Sequence, residues 1–266
     1  MKKIGFIGAG QMAKSLAFGI ANSNGDDLQL FISDPNDAAC ESFASLIGDR
    51  SSVSRVNNNA KLVESSELVF LAVKPQYLET ALADVKFENN PLVVSIVAGV
   101  RMFQLERLTG ISRIIRVMPN TPCQIGKGVS AIAAGPDVKS SETKLIKGIL
   151  ATVGAVVELE ESLMDSVTGL SGSGPAYVFT FIEALIDGAV LTGMPRATAR
   201  HLAIETVIGA ASMLQQSEEH PAVLRDRVTS PGGTTIEGLK ALEENSFRDA
   251  VMSAVQAATE RSRELG

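Results

Sequence analysis

The sequence predicts two domains, an α/β domain built on a parallel sheet over residues 1–161 and an all-α domain over residues 162–266. Three observations carry this expectation. Short continuous apolar runs alternate with helical patterns as far as Glu160-Glu161, which is how a sheet covered on both faces reads. Beyond those two acids the strand patterns stop and long helical patterns begin. A chain of 266 residues, 45% of them hydrophobic, is too long for one minimal domain and has ample material for a core.

Lys3 to Ile7 reads as a buried strand, followed by Gly8-Ala9-Gly10-Gln11-Met12-Ala13 and a helical pattern through Leu16, Phe18, Ile20 and Ala21. G-x-G-x-x-A between a strand and a helix is a dinucleotide-binding arrangement of the Rossmann type. Gly8 permits the tight turn, Gly10 lets backbone approach a pyrophosphate, and the small Ala13 packs helix on strand. The helix opening at Gln11 and Met12 offers free N–H groups to phosphate.

Leu28 to Ile32 is the second strand and runs into Ser33-Asp34-Pro35-Asn36, with a helix over Asp37 to Leu46. An acid at the end of this strand accepts hydrogen bonds from the adenosine ribose and repels a 2′-phosphate, which favours NADH. Asp34 reads equally as a helix cap. No arginine follows until Arg50. A weak strand near Val53 to Val56 and stronger ones at Leu68 to Val73, Leu92 to Val97 and Arg113 to Met118 follow, with helices around Tyr77 to Val85 and Met102 to Leu108. In such sheets the ligand lies across the carboxyl ends of the strands. Those ends carry Ala72 and Lys74, then Ala98 and Gly99, then Asn120, as candidates to line the nicotinamide half or as plain turn chemistry. Val129 to Ala134, a helix from Ser140 to Thr152 and Ala155 to Leu159 extend the sheet at its edge.

In the second half, Ser171-Gly172-Ser173-Gly174-Pro175 reads as a loop feeding a helix over Ala176 to Leu191. It is not a nucleophile elbow, because Ser171 is followed by Gly172-Ser173. Val178, Phe179, Phe181, Ile182, Leu185, Ile186 and Val190 cover nearly every face of that helix, so it is expected to be buried on all sides. A domain of about a hundred residues does that with a second subunit. A further helix carries Ala199, Leu202, Ala203, Val207, Ala210 and Met213, and the last runs from Phe247 to about Arg261. His201 reads as packing or surface, and Glu218, Glu219 and His220 as a polar break before Pro221.

Val228 to Leu239 reads V-T-S-P-G-G-T-T-I-E-G-L. Thr234 with Glu237 three residues later predicts a capping box, with Thr234 as N-cap. Ahead of it, Ser230-Pro231-Gly232-Gly233 is a turn without bulk. Its free N–H groups, with the hydroxyls of Ser230, Thr234 and Thr235, suit a small anion such as a carboxylate. The alternative is an ordinary capped loop between helices.

The net charge of −6 excludes the basic field that nucleic acid or an anionic membrane would call for. Two cysteines, Cys40 and Cys123, are too few for a disulfide framework, and no Cys/His spacing fits a metal, so none is expected. The opening Met1-Lys2-Lys3 runs straight into a strand, no stretch reads as long and apolar enough to span a membrane, and a reducing cytoplasm is the expected compartment.

Six motifs in order carry a resemblance over essentially the full length: G-F-I-G-A-G-Q-M from Gly5, L-A-V-K-P from Leu71, M-P-N-T-P from Met118, G-L-S-G-S-G-P-A-Y from Gly169, E-E-H-P from Glu218 and S-P-G-G-T-T-I-E from Ser230. The chain resembles the pyrroline-5-carboxylate reductases. That resemblance implies hydride transfer from NADPH or NADH to the C=N bond of 1-pyrroline-5-carboxylate, giving proline in the last step of its biosynthesis. It also implies helical domains interlaced into homodimers, with larger rings such as decamers. Carried onto this chain, Ser230 and the amides of Gly232, Gly233 and Thr234 hold the substrate carboxylate, Thr235 lies near the ring nitrogen, Glu218 is an acid near the site, and Asn59 helps hold the adenosine end. NADPH is usual in the family. Asp34 departs from the small hydroxyl residue of many NADPH-preferring relatives and leaves room for NADH.

Two competing readings weaken on the sequence itself. A 3-hydroxyacid dehydrogenase of the 6-phosphogluconate dehydrogenase type would use a lysine on a helix of the second domain, and no lysine occurs between Lys147 and Lys240. A non-catalytic nucleotide sensor would have no use for Ser230 to Thr235.

Overall fold

The computed structural model describes residues 2–23 and 28–266; residue 1 and residues 24–27 lie outside them. Eight strands form one sheet in the order β3-β2-β1-β4-β5-β6-β7-β8. They are β1 Lys3–Ile7, β2 Gln29–Ser33, β3 Ser52–Arg55, β4 Leu68–Leu71, β5 Leu92–Ser95, β6 Ile114–Met118, β7 Gly128–Ala134 and β8 Gly154–Glu158. The helices α1 Gln11–Ser23, α2 Asp37–Ile47, α3 Asn59–Glu64, α4 Leu78–Leu82, α5 Met102–Thr109 and α6 Ser140–Ala151 connect them. Strands β1, β4 and β5 bury nearly every residue, as strands covered on both faces must. On one face Phe6 stacks on Phe70 at 4.8 Å between ring centroids and meets Phe43 of α2 at 5.4 Å. The other face packs Leu71, Val93 and Ile114 against Leu78, Leu82 and Leu105.

One pairing departs from the expected parallel sheet, because β7 runs antiparallel to β6, with Ile115 opposite Ala134 and Met118 opposite Ala131. The link between them holds only a short 3₁₀ turn at Thr121–Ile125. A parallel return needs a crossover of about a dozen residues or more, so the chain reverses instead. Helix α6 then supplies such a crossover, and β8 pairs parallel with β7.

The chain folds as two compact units, unit 1 comprising residues 1–173 with 257–266 and unit 2 residues 174–256. This differs from the expected break at 161/162. The residues just past that break are anchored to the sheet domain: Glu161 Oε1 accepts from the Met102 N–H at 2.5 Å and from Arg116 Nη1 at 3.1 Å. Helix α7, Met164–Val167, then buries Met164 completely in the sheet domain's core. The end of the chain also belongs to unit 1: Ser262 Oγ donates to Asp165 Oδ1 at 2.7 Å and Gln104 Nε2 to the Gly266 carbonyl at 2.8 Å.

The expected loop at Ser171 to Pro175 is instead a π-helical turn over Thr168–Gly172, with Ser173 N–H donating to Thr168 O at 2.9 Å. Pro175 has no N–H for the carbonyl four residues back, and Asn120 Nδ2 donates to that Ser171 carbonyl at 3.2 Å. A Cβ on Gly172 would lie 2.6 Å from Met118 Cε, the flexible end of that side chain.

Unit 2 is helical: α8 Gly174–Leu191, α9 Arg196–Gln216, α10 Pro221–Arg227, α11 Thr234–Glu244, and α12 Phe247–Leu265, whose last turns belong to unit 1. No residue of α8 is buried in the single chain, and Phe179 and Leu191 are 65% and 88% exposed. The sequence expectation that no segment suits a membrane also needs correcting. The helical run Glu161–Leu191 is long and apolar enough by length and composition, with a mean hydropathy of 1.4 over its best window. The sequence reading breaks this run at the expected loop of Ser171 to Pro175, whereas the structure carries it from α7 through the π-helical turn into α8.

Candidate functional site

Unit 1 carries a cavity of 790 Å³ at the carboxyl ends of β1, β2, β3 and β4, within the roughly 300–1,000 Å³ of small-molecule sites. It opens where the strand order turns back at β1 and β4, the switch point at which such sheets bind ligands. Of the expected cofactor residues, Gly8, Gly10, Ser33, Asp34, Asn59, Ala72 and Lys74 line it. Gly8 has φ +103°, and a Cβ there would lie 2.5 Å from the Ala72 carbonyl, so the backbone just past β4 as well as the turn demands glycine. At Gly10 a Cβ would meet no protein atom within 4 Å. Packing therefore gives no reason for that glycine.

Asp34 ties the glycine turn to β2. Its Oδ2 accepts from the Ala9 N–H at 2.7 Å and its Oδ1 from the Asn36 N–H at 2.8 Å. The cap of α2 is Asn36, whose side chain accepts from Ala39 N–H, so the helix-cap reading of Asp34 does not hold. Asn59 donates to the Ala81 carbonyl at 2.8 Å from within the cavity wall.

Gln11, Met12, Ala98, Gly99 and Asn120 do not line this cavity. Gln11 is exposed at the start of α1 and Met12 packs partly on the core. Gly99, at φ +76°, would carry a Cβ 3.2 Å from Leu265. Asn120 spends both ends of its amide within unit 1, accepting from Val129 N–H at 2.9 Å as well as donating to Ser171 O. Sequence reading missed Asn36, Arg55, Asn57, Tyr77 and Thr80, which line the cavity. Arg55 was legible only through strand order, since it ends β3 and stands opposite Ile32 of β2.

In unit 2, Ser230 to Gly233 is a tight turn in which Gly232 has φ +66° and Gly233 N–H donates to Ser230 O at 3.1 Å. Helix α11 begins at Thr234 with Gly233 as its N-cap and no side-chain cap bond. The expected capping box is therefore absent. The extended backbone of Gly233 (φ −80°, ψ 174°) makes the entry, which leaves Thr234 as first helical residue and Glu237 one position too far along to reach back. The first-turn N–H groups of α11 consequently lack intrahelical partners. Ser230 and Thr234 are exposed and Thr235 half-buried. Glu218 is exposed, while its neighbour Glu219 is clamped by both terminal nitrogens of Arg227 at 2.5 and 2.6 Å. His220 caps α10, its Nδ1 accepting from Ala222 N–H at 3.2 Å.

Residues 161–265 match the family model described as pyrroline-5-carboxylate reductase dimerisation, and residues 3–99 match the one described as NADP oxidoreductase coenzyme F420-dependent. The chain is 46% identical to the pyrroline-5-carboxylate reductase of Synechocystis sp. over 266 residues, covering 99% of this chain and 98% of the relative. It is 42% identical to that of Arabidopsis thaliana over 270 residues, covering 99% and 95%. Among solved structures, the Plasmodium falciparum pyrroline carboxylate reductase with NADP bound superposes with a TM-score of 0.86 at 36% identity, covering 99% of this chain and 98% of that one.

Proposed function

The chain belongs to the pyrroline-5-carboxylate reductase family and reduces 1-pyrroline-5-carboxylate to L-proline with NAD(P)H, the last step of proline biosynthesis, and from that premise we propose which residues carry the reaction. Asp34 receives the adenosine ribose hydroxyls, Gly8 and Gly10 leave room for the pyrophosphate, and Ala72 and Lys74 continue the wall toward the nicotinamide. When bound, NAD(P)H supplies the hydride that adds to the imine carbon. The C=N π pair passes to the ring nitrogen, which keeps as its amine proton the one the iminium brought. The turn Ser230–Gly233 and the first N–H groups of α11 hold the substrate carboxylate, and Thr235 Oγ1 positions the ring nitrogen. A cyclic imine that arrives protonated needs no strong acid from the enzyme, so orientation supplies most of the catalysis. Glu218 stands as a second polar group for the ammonium-like nitrogen. The observation that carries this reading is the N-terminus of α11, an eleven-residue helix whose cap is a glycine and whose first N–H groups have no side-chain partner.

The proposed active assembly is a homodimer through the uncovered apolar faces of α8 and α9, and a ring such as a decamer would be built from such dimers. The proposed compartment is the cytoplasm, and the proposed roles divide the chain into a dinucleotide-binding part, residues 1–161, and a substrate-binding, dimerising part, residues 162–266, of which residues 162–173 and 257–266 pack with the first. Ser230→Ala tests the carboxylate turn. It is expected to lower kcat/KM for the imine by about 5- to 10-fold, the worth of one hydrogen bond of about 1 kcal/mol or slightly more, with NAD(P)H affinity by fluorescence unchanged. A normal kcat/KM would exclude Ser230.

A further inference from the structure

We propose that Arg55 reads the 2′-position of the cofactor's adenosine ribose, binding the 2′-phosphate of NADPH and offsetting the repulsion from Asp34. This rests on the adenosine end lying in the unit 1 cavity. Arg55 lines that cavity together with Ser33, Asp34 and Asn36. The parallel register sets Arg55 beside Ile32, one residue before Ser33, and neighbouring strands lie about 4.8 Å apart. Its side chain is exposed, and Nη2 is paired with Asp37 Oδ1 at the first residue of α2. Asp37 is its one hydrogen-bond partner among the described residues, which leaves the other N–H donors of the fork for a second anion. An exposed pair of this kind adds little, whereas a guanidinium and a phosphate form bidentate, charge-assisted bonds. A 2′-phosphate can therefore share or displace Asp37. The start of α2 adds its positive dipole end to the same corner. Asp34 is meanwhile turned to the Ala9 and Asn36 N–H groups, and these two donors moderate its charge without removing it. Asp34 and Arg55 thus oppose one another, and the chain accepts both NADH and NADPH.

The test measures Kd for NADPH and NADH by fluorescence on the purified enzyme without substrate, with 2′,5′-ADP and 5′-AMP as competing probes that differ only in the 2′-phosphate. Arg55→Ala is expected to weaken NADPH relative to NADH by about 10- to 100-fold, in line with charged hydrogen bonds, and 2′,5′-ADP relative to 5′-AMP by the same factor. Arg55→Lys keeps the charge without the fork and should fall between. Asp37→Asn releases the guanidinium and should shift the ratio toward NADPH. An unchanged ratio in Arg55→Ala overturns the proposal. Asp34→Ser separates that failure from failure of the cavity assignment. If Asp34→Ser changes NADH affinity and Arg55→Ala leaves the ratio alone, only the role of Arg55 falls. If Asp34→Ser changes neither dinucleotide, the adenosine lies elsewhere and the inference falls with it.

Discussion

Thr234 and Thr235 are adjacent in sequence and alike in chemistry, yet the start of α11 separates them. Thr234 is exposed and makes no cap bond, so Thr234→Val is expected to move stability by no more than about 0.5 kcal/mol, readable as a melting temperature close to that of the parent. Thr235→Val keeps β-branching and shape and removes one hydroxyl from the proposed ring-nitrogen contact. Its kcat/KM should fall about 10- to 150-fold, the worth of a hydrogen bond to a charged group, with nucleotide affinity intact. Gly233 constrains Ser230 from the other side, since a Cβ there would lie 2.3 Å from Ser230 Oγ. Gly233→Ala should therefore displace that hydroxyl and raise KM for the imine; an unaltered KM would mean that the turn yields without moving the serine.

Strand and helix positions were largely legible, because β1, β4 and β5 are short apolar runs and each is followed by turn residues. Direction was not legible for β7, where alternation says nothing about parallel or antiparallel and only the short link decides. The π-turn was hidden because Ser-Gly-Ser-Gly reads as loop whenever its hydrogen-bond partner, here Asn120, lies far away in the chain. Of the site, the glycine turn and Asp34 were readable from local spacing, while Arg55 required the strand order. Edge elements also carry a pH dependence. Glu142, 6% exposed at the start of α6, bonds the Arg113 guanidinium and the Lys139 N–H. The Arg113 bond holds its carboxyl below the ordinary carboxylate range against the upward push of burial. A lowered folded pKa makes this contribution complete above the unfolded value of about 4.3 and lost as pH falls through the folded one. Glu142→Gln should cost about 1–3 kcal/mol near neutrality, and the gap between the two melting curves should begin to narrow as pH falls below about 4.3 and close only once pH has passed the lowered folded value.

At the scale of the molecule, Phe179 and Leu191 of α8 and Ile208 and Met213 of α9 stand exposed in the single chain. That is more apolar surface than a helical unit leaves in water, and the family match over 161–265 is to a dimerisation region. Sedimentation is expected to show a dimer or a multiple of it at working concentration; a fully active monomer would contradict the proposed assembly. The division into units has a different consequence, which concerns the order of synthesis. Unit 1 is interrupted after Ser173 and resumes only at Ala257, where Ser262, Leu265 and Gly266 meet Asp165, Gly99 and Gln104. Domains commonly fold one after another as they leave the ribosome, the N-terminal one first. Here the sheet domain emerges first but is finished last, since its closing turns are translated after the whole of the helical unit. A nascent chain halted before residue 257 has all eight strands but lacks the contacts that Ser262, Leu265 and Gly266 bring to Asp165, Gly99 and Gln104.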